Sequence, residues 1–418
     1  MPSPAEVMDA AARLRAAIGE PYPGERAAAV IAAAACPDAD TTGAIAQRLG
    51  WSQGLLSASL QALCAPLATV ENLRAIAAKL RPRHELLGFV MPGNIPGAGL
   101  HELVLALLAG SAALVKTATA EPLFFSSFAA RLAALDPQLG ARLAVFNWSR
   151  ARADLTGAVR QGCDRLIALG NDATIAQLSP ARLSSADARV PDDCDARADF
   201  TGFGGRVSGV VLTSRACKTS ASDRTARDVA FDVTLFEQRG CLSPHHVFIE
   251  DSGGDAARTF AARLAANLRT LSAGPLPPPS RLALEDAAAI RSIREQARWR
   301  AIGGRDVTLW EGPFPGWTVI YDRDAGFSAS PGFRTVFVSP FASPADLARR
   351  LEPVKGRVEA FAFKHDPATD EPGHVVPIRA VLEQVGATYI CEPGRMQSPP
   401  IDWPHGGGGF IRMLMGER

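Results

Sequence analysis

Between His84 and Leu169 short apolar runs alternate with helix-patterned segments, and this alternation constrains the fold more than any other feature. His84–Met91 reads as a buried strand, followed by the turn cluster Pro92-Gly-Asn-Ile-Pro-Gly97 and a helix from His101 to Ala109. Ser111–Lys116 reads as the next strand. A helix at 121–135, a strand at 141–146, a helix at 151–161, a strand at 164–169 and a helix at 172–178 follow. Strands that alternate with helices form a parallel sheet, because each helix carries the chain back across it. In such a sheet ligands sit at the carboxyl ends of strands, against helix N-termini. Polar or glycine-rich loops stand at three of these ends: Pro92–Gly97, Lys116–Thr119 and Gly170–Asp172. Together they suggest a nucleotide-binding edge, although neither GxGxxG nor GxxxxGK[ST] occurs.

Helical periodicity upstream predicts helices at 5–19, 24–35, 40–49, 53–63 and 68–80, a helical N-terminal region over residues 1–80. The nucleotide-binding domain is expected over 81–214, with a polar stretch at 183–200. A second α/β domain is expected over 215–390. Its predicted elements are helices at 223–238, 254–271, 281–298 and 343–351, and strands at 247–250, 306–311, 317–322, 334–338, 358–363 and 387–391. The tail, 391–418, is expected to return to the nucleotide-binding region.

Of the 418 residues 47% are hydrophobic and 21% charged, with net charge +1, so nothing here draws the chain to nucleic acid or a membrane surface. The longest apolar run, Leu103–Val115, is shorter than the roughly 20 residues of a membrane span. Seven cysteines (Cys36, Cys64, Cys163, Cys194, Cys217, Cys241, Cys391) are scattered, without CxxC or structural-zinc spacing. Free thiols, no metal and a cytoplasmic location are the expectations.

Cys241, in Gln238-Arg-Gly-Cys-Leu-Ser-Pro-His-His246, reads as a nucleophile, a metal ligand or a small buried hydrophobe. Gly240 permits a sharp turn and Pro244 stops a helix, so an exposed, constrained thiol is expected, which suits a nucleophile. His245 and His246 point to opposite faces if they lie on a strand, so at most one easily faces the thiol. Asn94, in a strand-end loop, is a candidate oxyanion donor or a turn former.

Gly88-Phe-Val-Met-Pro-Gly-Asn-Ile-Pro-Gly97 and Leu107-Leu-Ala-Gly-Ser-Ala-Ala-Leu-Val-Lys116 resemble the aldehyde dehydrogenase superfamily, as do Leu169-Gly-Asn-Asp-Ala-Thr-Ile175 and Gly202-Phe-Gly-Gly-Arg206. Cys241 falls where that superfamily carries its catalytic cysteine. The Cys-Leu-Ser-Pro phrase and the tail Gly394-Arg-Met396 with Trp403-Pro-His-Gly-Gly407 look most like the LuxC-type acyl-CoA reductases. The resemblance implies a Rossmann-type nucleotide-binding domain, an α/β catalytic domain and a homodimer or homotetramer. It further implies reduction of an acyl thioester, acyl-CoA or acyl-carrier-protein, to the aldehyde. Cys241 would be the nucleophile and Asn94 an oxyanion donor, with Lys116, Thr119, Gly170, Asn171 and Gly204 around the cofactor. The position of the hydrolytic members' water-activating base is Gly202 here, and their later Glu-x-Phe-Gly-Pro motif is missing. Thr119 stands where NAD-preferring members often carry a glutamate, which points to NADPH rather than NADH. The rival readings are oxidation of an aldehyde to acid or acyl-CoA, with Glu237 as a local base, and a non-redox cysteine acyltransferase.

Overall fold

The computed structural model describes residues 1–179, 199–218, 222–251, 253, 255–368 and 370–416. Cys194 and the polar stretch read at 183–200, apart from residues 199 and 200, lie outside them. The chain divides into two compact units. The first comprises Met1–Leu49, Leu60–Gly205 and Pro400–Arg418, and the second Gly50–Ser59 and Arg206–Pro399.

The first unit holds a parallel sheet of β1 (Leu86–Val90), β2 (Ala112–Thr117), β3 (Leu143–Asn147), β4 (Arg165–Leu169) and β5 (Asp199–Phe203), in the order β3-β2-β1-β4-β5. The parallel register aligns Val90 with Lys116 and Thr117 with Asn147, so the carboxyl ends of the strands share one edge. Helix Pro4–Ile18 starts at a reciprocal cap, Ser3 with Glu6, and Pro4 fits its first turn because that N–H has no helical partner. Its apolar stripe (Val7, Ala11, Leu14, Ile18) packs on Leu86, Leu114, Trp148 and Leu166. Gly99, at φ 93, opens helix Leu100–Leu108 in a left-handed conformation that only glycine takes cheaply.

The second unit holds β6 (Val207–Leu212), β7 (Pro244–Glu250), β8 (Val307–Glu311), β9 (Thr318–Asp322), β10 (Thr335–Phe341), β11 (Val358–Lys364) and β12 (Tyr389–Cys391), in the order β12-β11-β6-β7-β10-β9-β8. Every neighbouring pair is parallel except β8 with β9. The central strands are buried on both faces and so read as mostly apolar runs. Phe361, Phe363, Val211, Phe248, Leu347 and Leu382 form part of the core on one side. The register shifts at Ser208/Gly209 between β6 and β7, and at Val358/Phe361 between β11 and β6. Such bulges locally interrupt the ladder and redirect side chains.

Candidate active site

Helix Ser222–Thr234 ends four residues before the predicted Gln238. The chain continues as a tight turn, Leu235–Gln238, in which Phe236, Glu237 and Gln238 have φ of 53, 53 and 57. Left-handed backbone costs a residue with a Cβ about 1 kcal/mol or more, so the surroundings must impose it. They do so with hydrogen bonds. Phe236 N–H donates to Ser59 Oγ (3.0 Å), and Glu237 C=O accepts from Phe333 N–H (2.7 Å). Gln238 Nε2 donates to the carbonyls of Pro244 (2.6 Å) and Thr335 (2.8 Å). Glu237, the local base of the rival reading, is fully buried in an ion pair with Arg334 (2.5 Å). Burial pushes its carboxyl above the usual range, against the pull of Arg334. Removing its partner would strand a buried charge, so this glutamate is tied to the fold.

The next turn carries Cys241. Ser243 N–H donates to Gly240 C=O (3.0 Å), and Gly240 N–H donates to Ser243 Oγ (3.2 Å), which leaves Cys241 half-buried at the corner. Ser208 Oγ donates to Cys241 C=O (2.6 Å) and accepts from Ala360 N–H (3.0 Å). Ala360 lies inside the Val358/Phe361 register shift, where the regular ladder is interrupted, and the serine hydroxyl takes its N–H instead. One side chain thus joins the cysteine turn to β11.

Beside Ala360 stands Glu359, fully buried in a run, Val358-Glu-Ala-Phe-Ala-Phe363, that is otherwise apolar. Its Oε1 accepts from Thr388 Oγ1 (2.8 Å), and its Oε2 lies 3.4 Å from Arg206 Nε. A carboxylate oxygen of Glu359 and Cys241 Sγ lie within 4.8 Å of each other. Neither Ser208 nor Glu359 figured in the sequence reading. The available signal was the lone acid in a strand buried on both faces.

The conspicuous histidines have structural tasks. His245 Nδ1 accepts from Ser330 N–H (2.8 Å), and His246 Nδ1 accepts from Ser328 N–H (3.1 Å). An accepting Nδ1 places the proton on Nε2, and His246 Nε2–H meets Ser339 Oγ at 2.9 Å. Burial pulls their pKa values down to about 4 and about 3, so both are neutral at pH 7.

On the first unit, Asn94 sits half-buried in the loop after β1. A Cβ on the preceding Gly93 would stand 2.7 Å from that of Ala118, so this loop crosses closely over the one after β2. Lys116 is the last residue but one of β2, with 9% exposure. Burial lowers its pKa, and it makes no ion pair among the described residues. Thr119 is exposed, and Arg48 reaches its carbonyl (2.8 Å) and that of Ala120 (2.8 Å) from helix Ala39–Leu49. Gly170 N–H donates to Phe203 C=O (3.1 Å), tying the ends of β4 and β5. Asn171 caps helix Asp172–Leu178 through Thr174 N–H (2.9 Å). A Cβ at Gly204 would stand 2.7 Å from Asp172 Oδ1. At Gly202 a Cβ would stand 2.6 Å from Ile175 Cγ2 and 3.0 Å from the Phe200 ring, so the position has no room for a carboxylate side chain. In the same unit His405 stacks between Phe203 and Trp403, each ring centroid at 4.5 Å, and its Nδ1 meets buried Glu102 at 2.5 Å.

The fold is that of aldehyde dehydrogenases. A benzaldehyde dehydrogenase from Corynebacterium glutamicum, described as NAD-dependent, superposes with a TM-score of 0.68 at 13% identity, covering 99% of this chain and 89% of that one. An aldehyde dehydrogenase from Bacillus cereus, solved as its NAD+ complex, gives 0.65 at 14% identity over 93% and 81%. Proline utilization A from Bradyrhizobium japonicum gives 0.70 at 17% identity over 98% of this chain and 43% of that one. No curated protein matches the sequence. The pattern of one family, described as Acyl-CoA reductase (LuxC), matches residues 77–415, a span that includes the Cys241 turn, β11 and the strand-end loops of the first unit. By that match, the chain belongs to the LuxC acyl-CoA reductase family.

Proposed function

We propose that the protein reduces an acyl thioester, acyl-CoA or its carrier-protein equivalent, to the aldehyde through an acyl group held on Cys241, with NADPH as reductant. The observation that carries the reading is the Cys241 turn, a half-buried thiol held at a corner by the bonds of Ser243 and Ser208. Such a thiol is accessible and fixed, as a nucleophile must be. Its sulfur attacks the thioester carbon, the carbon–sulfur bond to the carrier breaks, and the acyl group rests on the enzyme. The Asn94 amide and the Cys241 N–H are assigned to the oxyanion. The crowded Gly202 position supports an aldehyde product, because it leaves no base there to bring water onto the acyl-enzyme.

The residues of the first unit fit a dinucleotide. Buried Lys116 makes no ion pair among the described residues, and Arg48 places a second cation beside Thr119, which suits a 2′-phosphate better than a bare ribose. When bound, the dinucleotide supplies the hydride that turns the acyl group into the aldehyde.

The test is intact mass after mixing with acetyl-, octanoyl- and palmitoyl-CoA. An acyl adduct on Cys241 that NADPH discharges and NADP+ does not is the expected result, and Cys241→Ala abolishes it. A wild-type adduct with no absorbance change at 340 nm would make the protein a non-redox acyltransferase. Acid formed from aldehyde equally well with and without CoA would make it an acid-forming dehydrogenase.

A further inference from the structure

Acyl transfer at Cys241 removes a proton from the thiol and delivers one to a departing thiolate, and each task needs a group beside the sulfur. Glu359 is the one acid in the run Val358–Phe363, and it is fully buried. Burying a carboxylate costs several kcal/mol unless its surroundings compensate, and an apolar residue there would avoid the cost. Thr388 Oγ1 (2.8 Å) and Arg206 Nε (3.4 Å) hold it in one orientation. Ser208 then fixes the distance to the nucleophile, since its hydroxyl binds Cys241 C=O and the N–H of Ala360, the residue next to Glu359. The sulfur and a carboxylate oxygen stand within 4.8 Å of each other, a gap that a small side-chain rotation or one water closes.

We propose that Glu359 is the proton shuttle of acyl transfer at Cys241. The inference rests on the acyl-cysteine reading and deepens it. As Sγ forms its bond to the acyl carbon, the thiol proton passes to a Glu359 oxygen. As the carbon–sulfur bond of the acyl-CoA breaks, the same proton passes to the departing CoA sulfur. Nothing is oxidised or reduced in this half of the reaction, and Glu359 ends as it began. The proton moves as the carbon–sulfur bond forms, so the base acts during the attack.

Two reactions of the same sulfur separate this role from a structural one. Both reactions take the proton from the Cys241 thiol, but acylation by octanoyl-CoA also needs a leaving thiolate protonated, whereas alkylation by iodoacetamide releases iodide, which needs no proton. In Glu359→Gln the rate of Cys241 acylation, followed by intact mass without reductant, is expected to fall about a hundredfold. Alkylation of Cys241 is expected to fall far less than acylation, because it loses only the base and not the acid, and its persistence also shows that the turn is intact. Glu359→Asp should recover part of the acylation rate. Wild-type acylation in Glu359→Gln overturns the shuttle and leaves the acyl-cysteine reading standing. Loss of alkylation as large as the loss of acylation overturns it too, because a displaced thiol behaves that way. A wild-type protein that never gains an acyl group on Cys241 removes the reading itself, and the shuttle with it.

Discussion

A single hydroxyl, Ser208 Oγ, serves a turn and a strand at once, donating to the carbonyl of Cys241 and accepting the N–H of Ala360. Ser208→Ala leaves a buried backbone N–H without its partner, an expected loss of about 1–3 kcal/mol in urea unfolding. The same variant frees the turn, so Cys241 acylation is expected to slow as well. Arg48 makes a different prediction. Arg48→Ala is expected to raise KM for NADPH roughly tenfold, about 1.4 kcal/mol, while KM for NADH stays put in steady-state assays. At this scale the sequence was a partial guide. Gly240 and Pro244 announced a turn around Cys241, and the turn is there. The neighbouring histidines are conspicuous in the sequence, yet both accept backbone N–H groups in the interior. Glu359 and Arg48 lie 118 and 193 positions from Cys241, and a linear reading gives no reason to weigh them together.

Among elements, helix Ser222–Thr234 carries the most informative charge. Fully buried Asp232 accepts from Gly394 N–H (2.6 Å) and Met396 N–H (3.2 Å), latching the segment after β12. Burial pushes its pKa up to about 8 despite these bonds. A carboxyl whose folded pKa exceeds the unfolded value of about 3.9 contributes stability that is complete below that value. The contribution is lost as pH rises through the folded pKa. The Tm should therefore fall between pH 5 and pH 9, and Asp232→Asn should flatten that decline in thermal scans. The strands of the first sheet were legible as apolar runs except β5, whose Asp199-Phe-Thr-Gly-Phe203 carries a glycine that weakens the pattern. Helix Pro372–Gln384 is not legible in the sequence because Pro372 and Pro377 read as breaks, although Pro372 sits harmlessly in the first turn. The predicted helix at 223–238 runs over its true end because Phe236, Glu237 and Gln238 take left-handed backbone that tertiary bonds impose.

At the level of the whole chain, alternation of strand and helix announced parallel sheets, and the two sheets of five and seven strands are what the described residues hold. No single helix among them is long and apolar enough to cross a membrane. The first unit draws on three separate stretches, and its last, Pro400–Arg418, contributes buried Phe410 and Leu414, the Glu102–His405 contact and the bond from Arg81 N–H to Leu414 C=O (2.9 Å). Deletion of residues 400–418 should therefore destabilise that unit first. Two transitions in calorimetry, the earlier one abolished by the deletion, are expected, and an unchanged trace would show that the tail is dispensable.

The crowding at Gly202 also sets the order in which this protein could change its chemistry. The Cβ of any side chain installed there stands 2.6 Å from Ile175 Cγ2, so Gly202→Glu alone is expected to unsettle β5 without yielding acid. Ile175 must shrink first. A route from aldehyde-forming to acid-forming catalysis through this position passes through a substitution that has no benefit of its own, and a lineage or a designer taking single steps meets that ridge from either side.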